Sequence, residues 1–148
     1  MSLLEIIISL AILALLSSLS MLSITSNINQ TRQTTSEKKL IQLIQHGRAQ
    51  AIASHERVVL CPLGENNHCD GDWQSTLTLF IDSDHNGQTG LGETIIAQLL
   101  PSRAWHYHGL LKQQIIFSAN GNTTPGRFES ANTQIKWNRF GHLTSTRS

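Results

Sequence analysis

The sequence predicts an α+β protein in which one long N-terminal α-helix packs on a small antiparallel β domain. Two observations support this fold class. A mostly apolar run near the N-terminus continues into a stretch with helical periodicity, and the rest of the chain consists of short β-prone segments separated by Gly and Pro. We therefore expect an apolar first half of the helix over residues 1–25, an amphipathic second half over residues 26–54, and a β-rich globular head over residues 55–148.

The N-terminal run carries no charged side chain from Ile6 to Thr31, and its strongly apolar part ends near Ile24. A helix of about 20 apolar residues is long enough to cross the roughly 30 Å core of a bilayer. A cleavable secretory signal would begin with basic residues, whereas this run begins with Glu5. Because a carboxylate in lipid is costly unless it meets a cation, Glu5 is a candidate functional residue.

The second half of the helix has one apolar face. Leu40, Ile44, Gly47 and Ala51 recur at the 3.6-residue helical period, and polar or charged side chains lie opposite them. We expect this face to pack on the β domain. The preceding segment, from Ser26 to Ser36, is polar and poor in helix-forming residues, which predicts a softer part of the same helix.

Beyond the helix, several segments have the length and composition of β-strands. One of them alternates Leu77, Leu79 and Ile81 with Thr76, Thr78 and Phe80, which predicts a strand with one buried face. Gly-rich and polar stretches between the segments predict turns. The strand candidates are RVVLC, WQSTLTLFID, TIIAQLL, RAWHYHG, QQIIFSA, GRFES and TQIKWNRFGHL.

The two cysteines, Cys61 and Cys69, lie at the ends of a polar loop. A zinc site normally has more Cys or His ligands at short spacing. A disulfide that closes the loop fits better and indicates an oxidising compartment, with two reduced structural thiols as the alternative. A membrane-directed N-terminus favours the disulfide, which would stabilise a head with a small core.

The stretch DSDHNGQTGLGE matches the calcium-loop spacing D-x-[DN]-x-[DN]-G-x5-E. Asp82, Asp84, Asn86 and Glu93 would supply oxygen ligands, and Gly87 permits the sharp turn. This pattern would make the chain a membrane-tethered periplasmic calcium-binding module, with calcium as its cofactor. Strand candidates rather than helices flank the loop, so a solvated hairpin turn without a cofactor is the alternative.

Charge is distributed unevenly although the formal net charge is only +1. Residues 1–55 carry a net charge of +2, residues 56–100 of −6 and residues 101–148 of +5. The basic C-terminal part is a candidate binding surface, and a solubilising surface is the alternative. Neither a nucleophile–base motif nor a phosphate-binding glycine loop is found, so the sequence favours a protein that is not an enzyme.

The N-terminal run resembles the start of a mature type IV pilin-like protein. That family begins with an apolar helix carrying Glu at its fifth position, and Leu3, Leu4 and Glu5 of LLEIIISLAIL match it as they stand. The first mature residue is usually Phe, so Met1 is a departure from the pattern. We expect Met1 to be the first residue of the processed chain, and an initiator Met without the family's processing is the alternative. The resemblance implies the pilin fold, single-pass anchorage in the inner membrane and later assembly with other pilins. Glu5 would then pair with the N-terminal amine of a neighbouring subunit; a plain anchor is the alternative.

Further segments are similar to the FimT/GspH group of minor pilins and minor pseudopilins. They are RAQAIASHERVVLCP, the second Cys, DW, a strand ending in Asp, an acidic Gly-rich loop and IIFSANG. The similarity implies a minor type IV pilin whose head lies in the periplasm or outside the cell. A minor pseudopilin of a type II secretion system is the alternative, and the cysteine pair favours the pilus.

Some FimT proteins bind double-stranded DNA during natural transformation through a C-terminal Gly-Arg-x-Arg motif. The matching place here reads Gly141-His142-Leu143-Thr144, which keeps only the glycine. Nearby basic side chains can replace the missing arginines, because phosphate contacts need charge more than a fixed frame. The candidate DNA-binding residues are Arg127, Lys136, Arg139, His142 and Arg147.

Overall fold

The computed structural model describes residues 3–64, 66–69, 72–90, 92–101 and 104–147, with the side chains of residues 15–33 outside this description. Within these ranges the chain forms one helix and eight strands. They are α1 (Leu3–Ser54), β1 (Val58–Pro62), β2 (Leu77–Ile81), β3 (Ile95–Leu99), β4 (His106–Gly109), β5 (Ile115–Phe117), β6 (Gly126–Ser130), β7 (Thr133–Trp137) and β8 (Leu143–Arg147).

The chain divides into two compact units, Met1–Thr35 and Ser36–Ser148. In the second unit the strands form two four-stranded antiparallel sheets. The first sheet has the order β3-β2-β1-β5, and the second has the order β4-β6-β7-β8. In the first sheet, Val58 of β1 lies opposite Ile81 of β2 on one side and Phe117 of β5 on the other. The predicted α+β fold class, a helix packed on antiparallel sheets, is confirmed.

The later part of α1 packs on the sheets through the predicted apolar face. Leu40 and Ile44 are 1 % and 2 % exposed, and they share a core with residues of both sheets. Gly47 explains the close approach of the helix. A Cβ atom at this position would lie only 2.7 Å from a ring carbon of Phe117 and 2.8 Å from a methyl of Leu79. Any larger side chain here would push the helix off the first sheet.

Strand β2 is buried on both faces, so the prediction of one buried face is wrong. Leu77 and Leu79 belong to the core under α1. On the other face, Phe80 packs with Val59 and Cys61 in a second buried cluster. Partly buried side chains that include Cys69 pack against that second cluster. The alternation predicts the strand correctly. The second face is buried by residues from other parts of the chain, and the sequence of the strand itself does not indicate this burial.

An aromatic cluster fills the core beneath the second sheet. The ring of Tyr107 lies 4.2 Å from Trp73 and 5.2 Å from Phe128, measured between centroids, and stacks on Trp137 at 6.1 Å. Trp73, Trp105 and Trp137 are all buried, as expected for core rather than base-stacking residues. Burial raises the pKa of Tyr107 to about 12.

The segment TQIKWNRFGHL, predicted as one strand, is a hairpin. It contains β7, a turn, and the first residue of β8. The Asn138 side-chain oxygen accepts hydrogen bonds from the backbone N–H groups of Phe140 and His142, each at 3.0 Å. Gly141 has a φ of 72°, a conformation that glycine adopts without strain. The polar side chains of β8 carry no apolar alternation, which is why the sequence does not predict this strand.

Candidate functional site

The first turns of α1 expose an apolar surface. Every Leu and Ile side chain from Leu3 to Leu13 is between 46 % and 78 % exposed. Glu5 lies in the first turn, where the helix dipole favours an anion. No described residue forms an ion pair with the Glu5 carboxylate. Met1, the other residue predicted to act in assembly, lies outside the described residues.

A helix that crosses a membrane must be both long and apolar. Among the residues that the structure describes, no helix combines the length and apolar character that a membrane crossing requires.

The second sheet brings two of the predicted DNA-binding residues together. Arg127 of β6 is the cross-strand partner of Lys136 of β7, and His108 of β4 is the partner of Arg127 on its other side. Phe128 and Ile135, which alternate with them, are fully buried, so this row faces outward. Glu129 reduces its positive charge, because its carboxylate lies 3.9 Å from Arg127 Nε and 3.8 Å from His108 Nε2.

Two other predicted residues, Arg139 and His142, lie in the exposed turn between β7 and β8. Gly141 beside them is the glycine of the motif position. A Cβ atom there would lie 2.6 Å from Cδ of Arg48, and the Arg48 Nε donates a hydrogen bond of 2.8 Å to the Gly121 carbonyl. Arg48 therefore ties α1 to both loops, which gives the glycine a structural role.

Arg147, the last of the predicted set, lies apart from the others. In β8 it is opposite Thr133, on the face that the core side chains of β7 occupy. Its guanidinium is 2.7 Å from a carboxylate oxygen of Glu37 on α1, and Ser145 donates a hydrogen bond to the same carboxylate. Glu37 is only 8 % exposed. The sequence does not predict a role for Glu37, since no local pattern links it to a strand more than a hundred residues away.

The acidic loop between β2 and β3 gathers three of the four predicted calcium ligands. Asp82, Asp84 and Glu93 each place one carboxylate oxygen within 4.8 Å of the others. The loop also uses its oxygens internally. Asp84 accepts a hydrogen bond from the Asn86 backbone N–H, and Glu93 accepts one from Gly90. Asn86 accepts one from the Gln88 N–H, so its amide oxygen is already in use.

Asp82 is fully buried and already has a cationic partner. Its Oδ2 lies 2.9 Å from Arg57 Nε, and its Oδ1 accepts a hydrogen bond from the Gly87 N–H. A buried carboxylate needs such partners, because an uncompensated charge in the interior is costly. A calcium ion would compete with Arg57 for Asp82, so calcium binding stays a prediction.

The predicted disulfide is present. Cys61 in β1 is bonded to Cys69, with their Cα atoms 5.5 Å apart. Cys61 is fully buried, and the bridge holds the loop against the first sheet. The loop adds an isolated bridge between Leu63 and Cys69. The bond stabilises the small head by linking this loop to β1.

These features together define a pilin-like protein: a helix with an exposed apolar start whose later part packs on antiparallel sheets. The fold matches the crystal structure of the type IV minor pilin FimU from Pseudomonas aeruginosa strain PAO1. The TM-score is 0.55 and the sequence identity 14 %, over 76 % of this chain and 90 % of that chain.

The particular family follows from the sequence match. Residues 38–141 match the family model described as type II transport protein GspH. The chain therefore belongs to the GspH family, and it is a minor pilin or pseudopilin with a structural, non-enzymatic role. A comparison with curated protein sequences gives no significant match.

Proposed function

We propose that this chain is a minor subunit of a type IV pilus, held in the inner membrane by its N-terminal helix before it joins the filament. One observation carries the proposal. The Leu and Ile side chains from Leu3 to Leu13 are 46 % to 78 % exposed. An apolar surface of this extent is stable only against lipid or against other apolar protein surfaces. The apolar run from Ile6 to Ile24 supplies enough sequence for both environments.

In the filament, Glu5 pairs with the N-terminal amine of the next subunit. A carboxylate and an ammonium group attract strongly in an apolar medium, and each is costly there alone. The pairing therefore sets the axial register between neighbouring helices. Leu4 and Ile6, on either side of Glu5, are 66 % and 46 % exposed, so the carboxylate sits within the surface that becomes buried.

The proposal is tested by fractionating cells that express the full chain. We expect the protein in the inner membrane and in sheared pili. Ile8→Lys places a charge on the exposed apolar surface and should remove the chain from pili. Ile52→Lys is the matched control, because Ile52 is a 43 % exposed residue of the same helix within the head. If incorporation depends instead on the assembly machinery of a type II secretion system, the filament that the chain joins is a pseudopilus and not a pilus. Absence from both filaments would contradict the proposal.

A second role, contact with double-stranded DNA, is favoured by the outward row of Arg127 and Lys136. The two side chains are cross-strand neighbours, so they present two positive charges at about the spacing of one strand pair. Arg139 adds a third exposed cation at the end of the same sheet. Arg147 is left out of this site because it binds Glu37. The site reads phosphate charge rather than base sequence.

DNA binding is tested with the full chain in detergent at several salt concentrations. Replacing both Arg127 and Lys136 by Gln should lower the slope of log affinity against log salt by about 2, since each phosphate contact contributes about 0.9. Glu129→Gln should strengthen binding by removing the carboxylate beside the row. Thr144→Gln, on the same outward face, is the neutral control. An unchanged slope in the double variant would exclude this row as the DNA site.

A further inference from the structure

We propose that the free edge of β3 receives an extended strand from a neighbouring, different subunit of the filament, which lengthens the first sheet beside α1. The inference rests on the proposed function, because its occupant is a filament subunit. It concerns how the heads contact one another rather than the apolar helices.

Three of the four sheet edges are protected. Beside β5, the Thr124 N–H donates to the Ile116 carbonyl at 2.9 Å and the Thr124 hydroxyl accepts from the Ile116 N–H, so the following loop covers this edge. Strand β8 is LTSTR, which is polar and ends in a charge. Strand β4 is only four residues long and alternates two histidines. Short, polar or covered edges are the usual defence against unwanted strand pairing.

Among the described residues, the β3 edge has no such protection. The sheet order ends at β3, and the stretch from Thr94 to Leu100 contains no charged residue and no proline. Ile95 and Leu100, near its two ends, are 50 % and 68 % exposed. An exposed apolar edge with free backbone N–H and C=O groups is a template for an incoming strand. A register shift opposite Leu79 and Phe80 bends the start of the strand, whereas the pairing from Ala97 to Leu99 is regular and leaves this part of the edge straight.

A groove of about 390 Å³ beside this edge gives the strand a place to lie. Leu43 of α1 and Leu99 of β3 line it together with Gln42 and Gln98. Apolar side chains on alternate positions of an added strand would bury against Leu43 and Leu99. Main-chain hydrogen bonds would supply the affinity and the groove the selectivity, as in other cases of strand addition.

The charge of the groove identifies the kind of strand that fits. Lys39 and His46 lie on the same side of α1 and complete the lining. The Lys39 ammonium favours an acidic side chain on the incoming strand. Two copies of this chain paired through β3 would bring two Lys39 side chains to the interface without a counter-charge. Charge complementarity therefore points to a different filament subunit with an extended segment that is apolar and acidic.

The inference is tested in cells that assemble the filament. A photo-crosslinking phenylalanine analogue replaces Gln98 in the full chain, and sheared filaments are analysed by mass spectrometry. We expect crosslinks to an extended, acidic segment of another filament subunit. Ile95→Lys in the same chain should reduce the crosslink several-fold without changing the melting temperature, because the side chain is half exposed. The matched controls are the analogue at Thr146 and the change Thr146→Lys, both on the exposed β8.

The outcomes separate this inference from the proposed function. If the chain is present in filaments but position 98 gives no crosslink, the inference is overturned and the proposed function stands. Crosslinks only between two copies of this chain, or only to a protein outside the filament, overturn it as well. If the chain is absent from filaments altogether, the proposed function falls and the inference falls with it.

Discussion

The apolar side chains of α1 are exposed in its first described part and buried in its second. In the first, Leu10 is 61 % exposed and Leu13 63 % exposed; in the second, Leu40 is 1 % exposed and Ile44 2 % exposed. The side chains are of the same kind and the backbone is helical in both. What differs is the partner: the second part lies against two sheets of its own chain.

The two parts of α1 differ in what covers their apolar side chains. The later part is covered within the chain, by the core residues around Gly47. The described Leu and Ile side chains at the start of α1 are exposed, and under the proposed function lipid or other subunits cover them. Substitutions in the two parts should therefore have separable effects on head stability and on assembly.

The largest expected effect on stability comes from the buried part. Leu40→Ala should lower the free energy of unfolding of the head by about 3 kcal/mol, because it removes a fully buried side chain and leaves a cavity. Leu10→Ala makes the same chemical change at an exposed position and should leave head stability unchanged. Urea unfolding of the full chain in detergent, followed by the fluorescence of the three tryptophans, measures both. Equal losses in the two variants would contradict the separation.

A smaller effect is expected where α1 meets the last strand. Glu37→Ala should destabilise the head by about 1–3 kcal/mol, because it leaves Arg147 and Ser145 without their acceptor. Lys38→Ala changes the adjacent, exposed helix residue and serves as the control. The same unfolding experiment compares them. If both variants have the stability of the wild type, Arg147 is free to act elsewhere, and its exclusion from the DNA site is wrong.

The buried tyrosine of the aromatic cluster makes the stability of the head depend on pH. Burial raises the pKa of Tyr107 to about 12, whereas the phenol of an unfolded chain ionises near 10. The unfolded state therefore loses its proton first, and stability that is fully present below pH 10 should fall between pH 10 and about 12. Tyr107→Phe should remove this contribution. Since Tyr107 is the chain's single tyrosine, phenolate absorbance reports its ionisation alone. A midpoint near pH 10 in the folded protein would contradict the burial.

The smallest expected effect concerns the acidic loop. Because Arg57 already neutralises the buried Asp82, we expect calcium to leave the melting temperature of the full chain unchanged. Glu93→Gln removes one of the three clustered carboxylates and should behave like the wild type in calcium and in chelator. A saturable rise in melting temperature that Glu93→Gln abolishes would establish the calcium site that the sequence pattern predicts.

The sequence predicts those parts of the fold whose signal is local. The apolar period at Leu40, Ile44 and Ala51 predicts the packed face of α1, and the alternation around Leu79 predicts β2. The sequence does not predict β8, whose side chains are polar. This strand forms by pairing with β7 and has no apolar alternation of its own.

The candidate sites follow the same rule. The cysteine pair predicts the disulfide, since Cys61 and Cys69 are separated by only 8 positions in the sequence. The basic residues are predicted as one set, but the structure divides them between an outward row, a turn and a contact with α1. Glu37 captures Arg147 across more than a hundred residues, and only the tertiary fold shows such a pairing.

In the proposed assembly, the exposed start of α1 joins the filament through a charge pair at Glu5. Glu5→Gln keeps the size and polarity of the side chain and removes its charge, while Ser9→Ala alters the same segment without a change of charge. The direct measurement is the amount of each full-length variant in sheared filaments relative to its amount in the membrane. We predict strong depletion for Glu5→Gln and normal incorporation for Ser9→Ala. Incorporation of Glu5→Gln at the wild-type level would contradict it.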